Sequence, residues 1–193
     1  MTKSRSTGRP RLAATDDAIF DAALKIIADE SYARLGFERI AAVSGVAKAT
    51  IYRRYRRRGE IVIGALVRHV QDLWQQRPSE TKTVAGYLRA LFRVIASDAA
   101  PALRGLVADA QQDEDVAAMF HDQFTIPRRQ ALLEVMARDP AFAKLSPDCA
   151  VLAVDLAFGP MWYRLLANHA PIDDAFAARI ATTLTFLVQQ GML

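Results

Sequence analysis

This chain of 193 residues holds one cysteine, Cys149, and three histidines, His69, His121 and His169. A lone thiol excludes an internal disulfide and fits a reducing compartment. The histidines are isolated, with no i, i+3 or i, i+4 pairing and no Glu-x-x-His, so the ligand sets that helices build for metals are missing. Also missing are a Gly-x-Ser-x-Gly elbow, a Walker loop and a dinucleotide fingerprint. Asp113-Glu114-Asp115 has some metal-ligand character, but it stands where a helix begins, and acidic capping is the stronger reading. No enzyme, cofactor or metal is expected. Long apolar runs are lacking too: Asp155 interrupts the best candidate for a membrane span, and Lys3 and Arg5 lead into Gly8-Arg9-Pro10-Arg11 rather than an apolar signal segment. A cytoplasmic protein without membrane contact is expected. No stretch alternates long enough to argue a strand, and there is no internal repeat.

What is present is enough for a core: 52% of residues are apolar and 24% charged. The net charge of +4 is unevenly spread, with 15 Lys/Arg against 8 Asp/Glu in residues 1–77 (15 − 8 = +7) and 10 against 13 in residues 78–193 (10 − 13 = −3). The first half is the one suited to a polyanion.

Within that half, Phe37, Ile40, Ala41 and Ser44 share one face of a short helix. Gly45 breaks it, because a tight turn between steeply crossing helices needs a residue at ease with positive φ. Val46 anchors the turn. A second helix then offers Lys48, Thr50, Tyr52, Arg53 and Arg54 as donors for phosphate oxygens and base edges. The pattern is a helix-turn-helix. Lys48 and Thr50 are expected near base edges, and Tyr52, Arg53, Arg54, Arg57 and Arg58 on backbone phosphates, the last two clamping at the start of a fourth helix.

Gly45-Val46-Ala47-Lys48-Ala49-Thr50-Ile51-Tyr52-Arg53-Arg54-Tyr55, preceded by Ile40-Ala41-Ala42, resembles the recognition segment of the TetR family of bacterial transcriptional regulators, and the likeness runs from about Asp16 to Ala65. Three departures stand out. Gly36 occupies the place where the family usually caps its second helix with threonine or serine, Ala47 replaces a usual serine, and Arg56-Arg57-Arg58 replaces a Pro-Ser-Lys type segment. Two hydroxyl contacts to phosphate are lost and charge is gained. The resemblance further implies that Arg9 and Arg11, in the basic stretch 1–14, enter a minor groove; the bland alternative is a solvated tail.

The remainder of the chain follows from helical periodicity. Thr15-Asp16-Asp17 is expected to start the first helix, with Ile19, Ala22, Ala23, Ile26 and Ile27 as its buried stripe and Tyr32 and Leu35 completing a small core. A fourth helix runs from Glu60 to about Gln76, and Arg77-Pro78-Ser79-Glu80-Thr81 marks a boundary. Further helices are expected at about 82–97, 101–112, 114–138, 147–168 and 173–190, loosened at Pro127 and Gly159-Pro160. The fold class is thus all-α, about nine helices: an N-terminal three-helix helix-turn-helix domain and a C-terminal helical bundle. The divisions are a basic arm (1–14), the DNA-binding domain (15–60), a connecting helix (61–77) and an effector-binding and dimerisation domain (78–193).

Arg104-Gly105-Leu106, Pro127-Arg128-Arg129 and the segment from Phe158 to Leu166 resemble the C-terminal domain of one TetR subclass, over about Pro101 to Gly191. That resemblance implies a homodimer and a small, often apolar effector. Phe92, Leu106, Met119, Phe120, Phe124, Trp162 and Tyr163 are candidates to line the pocket, against plain core packing. Asp109, Asp155 and Arg164 are charges amid apolar neighbours: ligand anchors or internal ion pairs. Val154, Phe158 and Leu165, with Ile180, Leu184 and Leu187, are candidates for a four-helix dimer seam. The function expected is a dimeric repressor of a palindromic operator, released by a small apolar or amphipathic effector; an architectural DNA-binding protein without effector is the alternative.

Overall fold

A computed structural model describes residues 9–76, 82–97 and 99–193, with side chains for these except 9–12 and 72–76. The described residues form helices joined by short turns and loops, without a strand: α1 (Arg9–Asp29), a 3-10 turn (Tyr32–Arg34), α2 (Phe37–Ser44), α3 (Lys48–Arg54), α4 (Arg58–Gln76), α5 (Val84–Ala96), α6 (Ala99–Ala110), α7 (Glu114–Phe120), a π-helical turn (His121–Thr125), α8 (Ile126–Arg138), α9 (Pro147–Ala167) and α10 (Asp174–Gln189). Taking α7, the π turn and α8 as one rod, as the periodicity suggests, makes nine.

The first three helices pack around Ile19, Ala23, Ile26, Leu35, Ile40 and Ile51, all buried. α1 lies on both α2 and α4. Its start differs from expectation: the helix begins at Arg9, so Thr15 to Asp17 are interior. Asp16 and Asp17 face other helices instead of capping, Asp16 taking hydrogen bonds from Arg54 and Tyr55 and Asp17 from Arg68. Pro10 is tolerated in the first turn because its missing N–H has no intrahelical acceptor there.

α2 ends as the sequence demands: Gly45 has φ 70° and its N–H closes on the Ala41 carbonyl. Ser44 Oγ accepts from the Val46 N–H at 3.1 Å, tightening the turn. α5 is capped by Thr83, whose Oγ1 accepts from the Gly86 N–H at 3.1 Å. The buried carboxylate of Asp139, past the end of α8, is occupied by backbone donors, the Val84 N–H at 2.9 Å and the Ala141 N–H at 3.1 Å. It therefore ties two helix ends together. The boundary expected at residues 77–81 lies outside the described residues, as does the arm over 1–8.

α9 carries Pro160 internally and is long and apolar enough to cross a membrane by length and composition. The reading that no segment reaches that threshold is corrected here. Within the fold, though, Ala153, Val154, Ala157, Phe158, Met161 and Leu165 are buried, and α9 packs on α5, α6, α8 and α10. One face of α9 thus belongs to the core.

Candidate nucleic-acid interface and interior cleft

α3 presents the cationic face. Lys48, Tyr52 and Arg53 are exposed and Thr50 is half-buried, while Ile51 points into the core and holds the helix against the rest of its domain. Lys48 and Arg53 make no ion pair or hydrogen bond among the described residues, so their charge is available to phosphate. Tyr52 is oriented in advance: its ring meets Phe37 edge-on at 4.8 Å and its hydroxyl donates to Glu38 Oε1 at 2.7 Å. That bond holds the Glu38 carboxyl below its usual range. Neither Gly36 at the start of α2 nor Ala47 at the start of α3 gives a side-chain cap, as their lack of a hydroxyl requires. The side chains of Arg9 and Arg11 lie outside the described residues.

Three of the expected phosphate contacts are spent elsewhere. Arg54 is mostly buried and pairs with Asp16, so it fastens α3 to α1. Arg57 donates through Nε to Asp113 at 2.6 Å and through an Nη to Asp115 at 2.5 Å. Arg58 grips Asp109 with two parallel bonds, 2.9 and 2.7 Å, and lies 4.9 Å over the Tyr32 ring. Tyr32 in turn donates to Asp109 at 2.7 Å. The phosphate clamp proposed from the arginine run is therefore corrected. Arg57 and Arg58 bolt the start of α4 to α6 and α7, since Asp113, Asp115 and Asp109 hold their guanidinium groups. Burial pushes the Asp109 carboxyl up, but the bonds from Arg58 and Tyr32 outweigh it and leave it below the usual carboxylate range. Asp113 also caps α7, taking the Asp115 and Val116 N–H groups. Of the arginine run, Arg56 alone is exposed without an ion pair among the described residues, its backbone N–H bound to Glu60.

Gly105 is what lets this junction close. A Cβ there would stand 2.0 Å from the Tyr32 ring, so any side chain on that face of α6 would expel the tyrosine.

The second half holds a cleft between α5, the π turn, α8 and α9. About 60 Å³ of it can be occupied by the centres of water-sized molecules, and about 380 Å³ is free of atoms when the open solvent at its mouth is counted. Of the expected pocket residues, Phe124 and Trp162 line it. Phe120 supports both, 5.2 Å from the Phe124 ring and 6.1 Å from Trp162. The others are corrected. Phe92 and Leu106 are fully buried core, and Phe92 packs on Phe176. Asp109 belongs to the junction, Asp155 pairs with Arg129, and Met119 is a partly buried prop of the core. Tyr163 is 66% exposed, against His169. Leu91, Ile95, Met161 and Arg128 line the cleft instead. The Pro127-Arg128-Arg129 motif and the segment from Phe158 to Leu166 had pointed at this wall.

Arg128 is shaped by its neighbour. Pro127 has no N–H, so the Gln123 carbonyl, four residues before it, lacks its helical donor. An Nη of Arg128 supplies it at 3.0 Å, and also reaches the Phe124 carbonyl at 2.9 Å. The guanidinium lies 4.0 Å over the Phe124 ring. Its Nε is buried without a hydrogen-bond partner. Burial lowers the pKa of Arg128 from the ordinary arginine value, with Tyr87 opposing.

The dimer seam needs the largest correction. Val154, Phe158, Leu165 and Leu184 are buried within the chain's own core, so they have no surface left for a second copy; Phe158 lines the cleft. Ile180 and Leu187 are half-buried. The opposite face of α9 is bare: Leu152, Leu156, Gly159, Tyr163 and Leu166 recur at alternating four- and three-residue steps, all exposed, with Phe186 exposed on α10.

Comparison with known proteins agrees with this geometry. Residues 19–64 match the domain described as "Bacterial regulatory proteins, tetR family", and residues 79–184 the "Tetracyclin repressor-like, C-terminal domain". The chain is 24% identical over 172 residues to the HTH-type transcriptional regulator YdeS of Bacillus subtilis, covering 88% of this chain and 87% of that one. It is 25% identical over 182 residues to the DNA-binding transcriptional repressor TetR of Mycobacteroides abscessus, covering 90% and 94%. The solved structure of the TetR family transcription regulator SCO0332 superposes with a TM-score of 0.69 at 26% identity, over 89% of this chain and 97% of that one. With its exposed cationic helix in a helix-turn-helix and both halves matched, the chain belongs to the TetR family of DNA-binding transcriptional regulators.

Proposed function

We propose that the protein is a repressor that binds a palindromic operator as a homodimer in the bacterial cytoplasm and is released by a small effector entering the cleft between α5, α8 and α9. One observation carries this reading: the same chain has a free cationic face on α3 and an uncovered apolar stripe on α9. The stripe's four-and-three spacing suits helices packing at a shallow angle, and Gly159 in its middle permits close approach. A twofold pair would set two α3 helices at major-groove sites about 34–36 Å apart. The repressor named above, from Mycobacteroides abscessus, supports the direction of regulation. Release has a physical route in the π turn, which supplies Phe124 and Thr125 to the cleft and also packs on α4. An effector shifts DNA binding only by preferring one arrangement of that contact, a coupling of about 1–3 kcal/mol in typical cases.

Selection of bound sequences from random duplex DNA tests the reading. The expected product is an inverted repeat whose half-site centres are one helical turn apart. A selected site without twofold symmetry, or tight binding by a monomer, overturns it.

A further inference from the structure

We propose that the cleft takes an anionic amphiphile, a carboxylate on a short apolar body, with the carboxylate held by Arg128. This deepens the effector reading and rests on it. Arg128 is fixed before any ligand arrives: one Nη is used on the Gln123 carbonyl freed by Pro127 and on the neighbouring Phe124 carbonyl, and the plane is stacked on Phe124. Neither Nε, which is buried, nor the second Nη makes a hydrogen bond among the described residues, and the second Nη is the one left to meet a ligand. No carboxylate pairs with Arg128 among the described residues, whereas its neighbour Arg129 has Asp155. A cation in an apolar wall with no counter-charge is costly, and a ligand carboxylate is the partner that relieves it. Arg129, already paired with Asp155, and Thr125 also line the cleft, and Leu91, Ile95, Phe158, Met161 and Trp162 offer carbon to the ligand's body. A cationic ligand would meet the guanidinium unfavourably.

Octanoate, 1-octanol and octylammonium separate charge from chain. Binding to the full chain is read from Trp162 emission in a Trp74→Phe background, where it is the one tryptophan left. Octanoate is expected to bind about 10- to 100-fold more tightly than octanol, the range of a hydrogen bond to a charged group. Octylammonium should be weakest. Arg128→Met should erase the carboxylate preference and leave octanol unaffected; Arg128→Lys, which keeps the charge, should retain part of it. The wild-type ratio stands even if a variant fails to fold. Equal affinities for octanoate and octanol overturn the proposal, as does failure of both to bind. So does a preference that survives Arg128→Met and is lost in Arg104→Gln, which would place the anion in the separate cleft beside Arg104 and Arg164. DNA release is measured separately. Octanoate bound with the expected preference but without effect on operator affinity leaves the anion site standing and removes the effector reading. Octanol and octanoate binding equally and both releasing DNA removes the anion site and leaves the effector reading standing.

Discussion

Arg53, Arg54, Arg57 and Arg58 are close in sequence, yet their guanidinium groups are used in three different ways: one free, one joining α3 to α1, and two joining the halves of the molecule. Arg53→Ala is therefore expected to lower the slope of log affinity against log salt by about 0.9 and to weaken all sequences alike. Arg58→Ala should leave that slope nearly unchanged; fluorescence anisotropy across a salt series decides between them. Lys48→Ala should alter sequence preference. Ala47→Ser restores a hydroxyl where the backbone is already extended, and should raise the unfolding free energy by about 1 kcal/mol in a urea titration. At this scale the sequence was legible where the cause is local. Gly45 had to take positive φ because the turn demands it. The fate of Arg57 was hidden because its partners are more than 50 positions away.

Among elements, α9 explains why periodicity misled. It is apolar on more than one face, so a stripe read from spacing alone could be the inner or the outer one. Val154, Phe158 and Leu165 form the inner. Leu184→Arg on α10 is accordingly expected to unfold the chain, since a charge would be buried among core residues at a cost of several kcal/mol. Leu156→Arg or Tyr163→Arg should instead leave a folded monomer with weak operator binding, as judged by circular dichroism and sedimentation velocity. A folded Leu184→Arg monomer beside an unaffected Leu156→Arg dimer would reverse that assignment. Helix positions in the second half were legible to within two or three residues, because Thr83, Asp113, Ser146 and Asp173 supply side-chain caps at four of the starts. The start of α1 was not: Thr15-Asp16-Asp17 has the composition of a cap, and only tertiary contact reveals that its carboxylates serve α3 and α4.

For the whole molecule, the junction of Arg57 and Arg58 with Asp109, Asp113 and Asp115 sets the response to acid. Asp109 has a lower pKa folded than unfolded, so its share of stability is present above the ordinary carboxylate range near pH 4 and is lost as pH falls through the lower folded value. The pair is partly exposed, and about 1 kcal/mol is the expected share. Urea melts of Asp109→Asn at pH 6 and pH 3 should show a smaller loss on acidification than the parent. An equal loss would place the acid sensitivity elsewhere. As the pairing surface proposed above, the exposed stripe of Leu152, Leu156, Tyr163 and Leu166 would act in another way, on dose. Where two copies must meet before either α3 finds its half-site, operator occupancy below the pairing constant rises with the square of copy number. A cell that halves its stock of this regulator then loses three quarters of its bound pairs, so dilution at division becomes a signal in its own right.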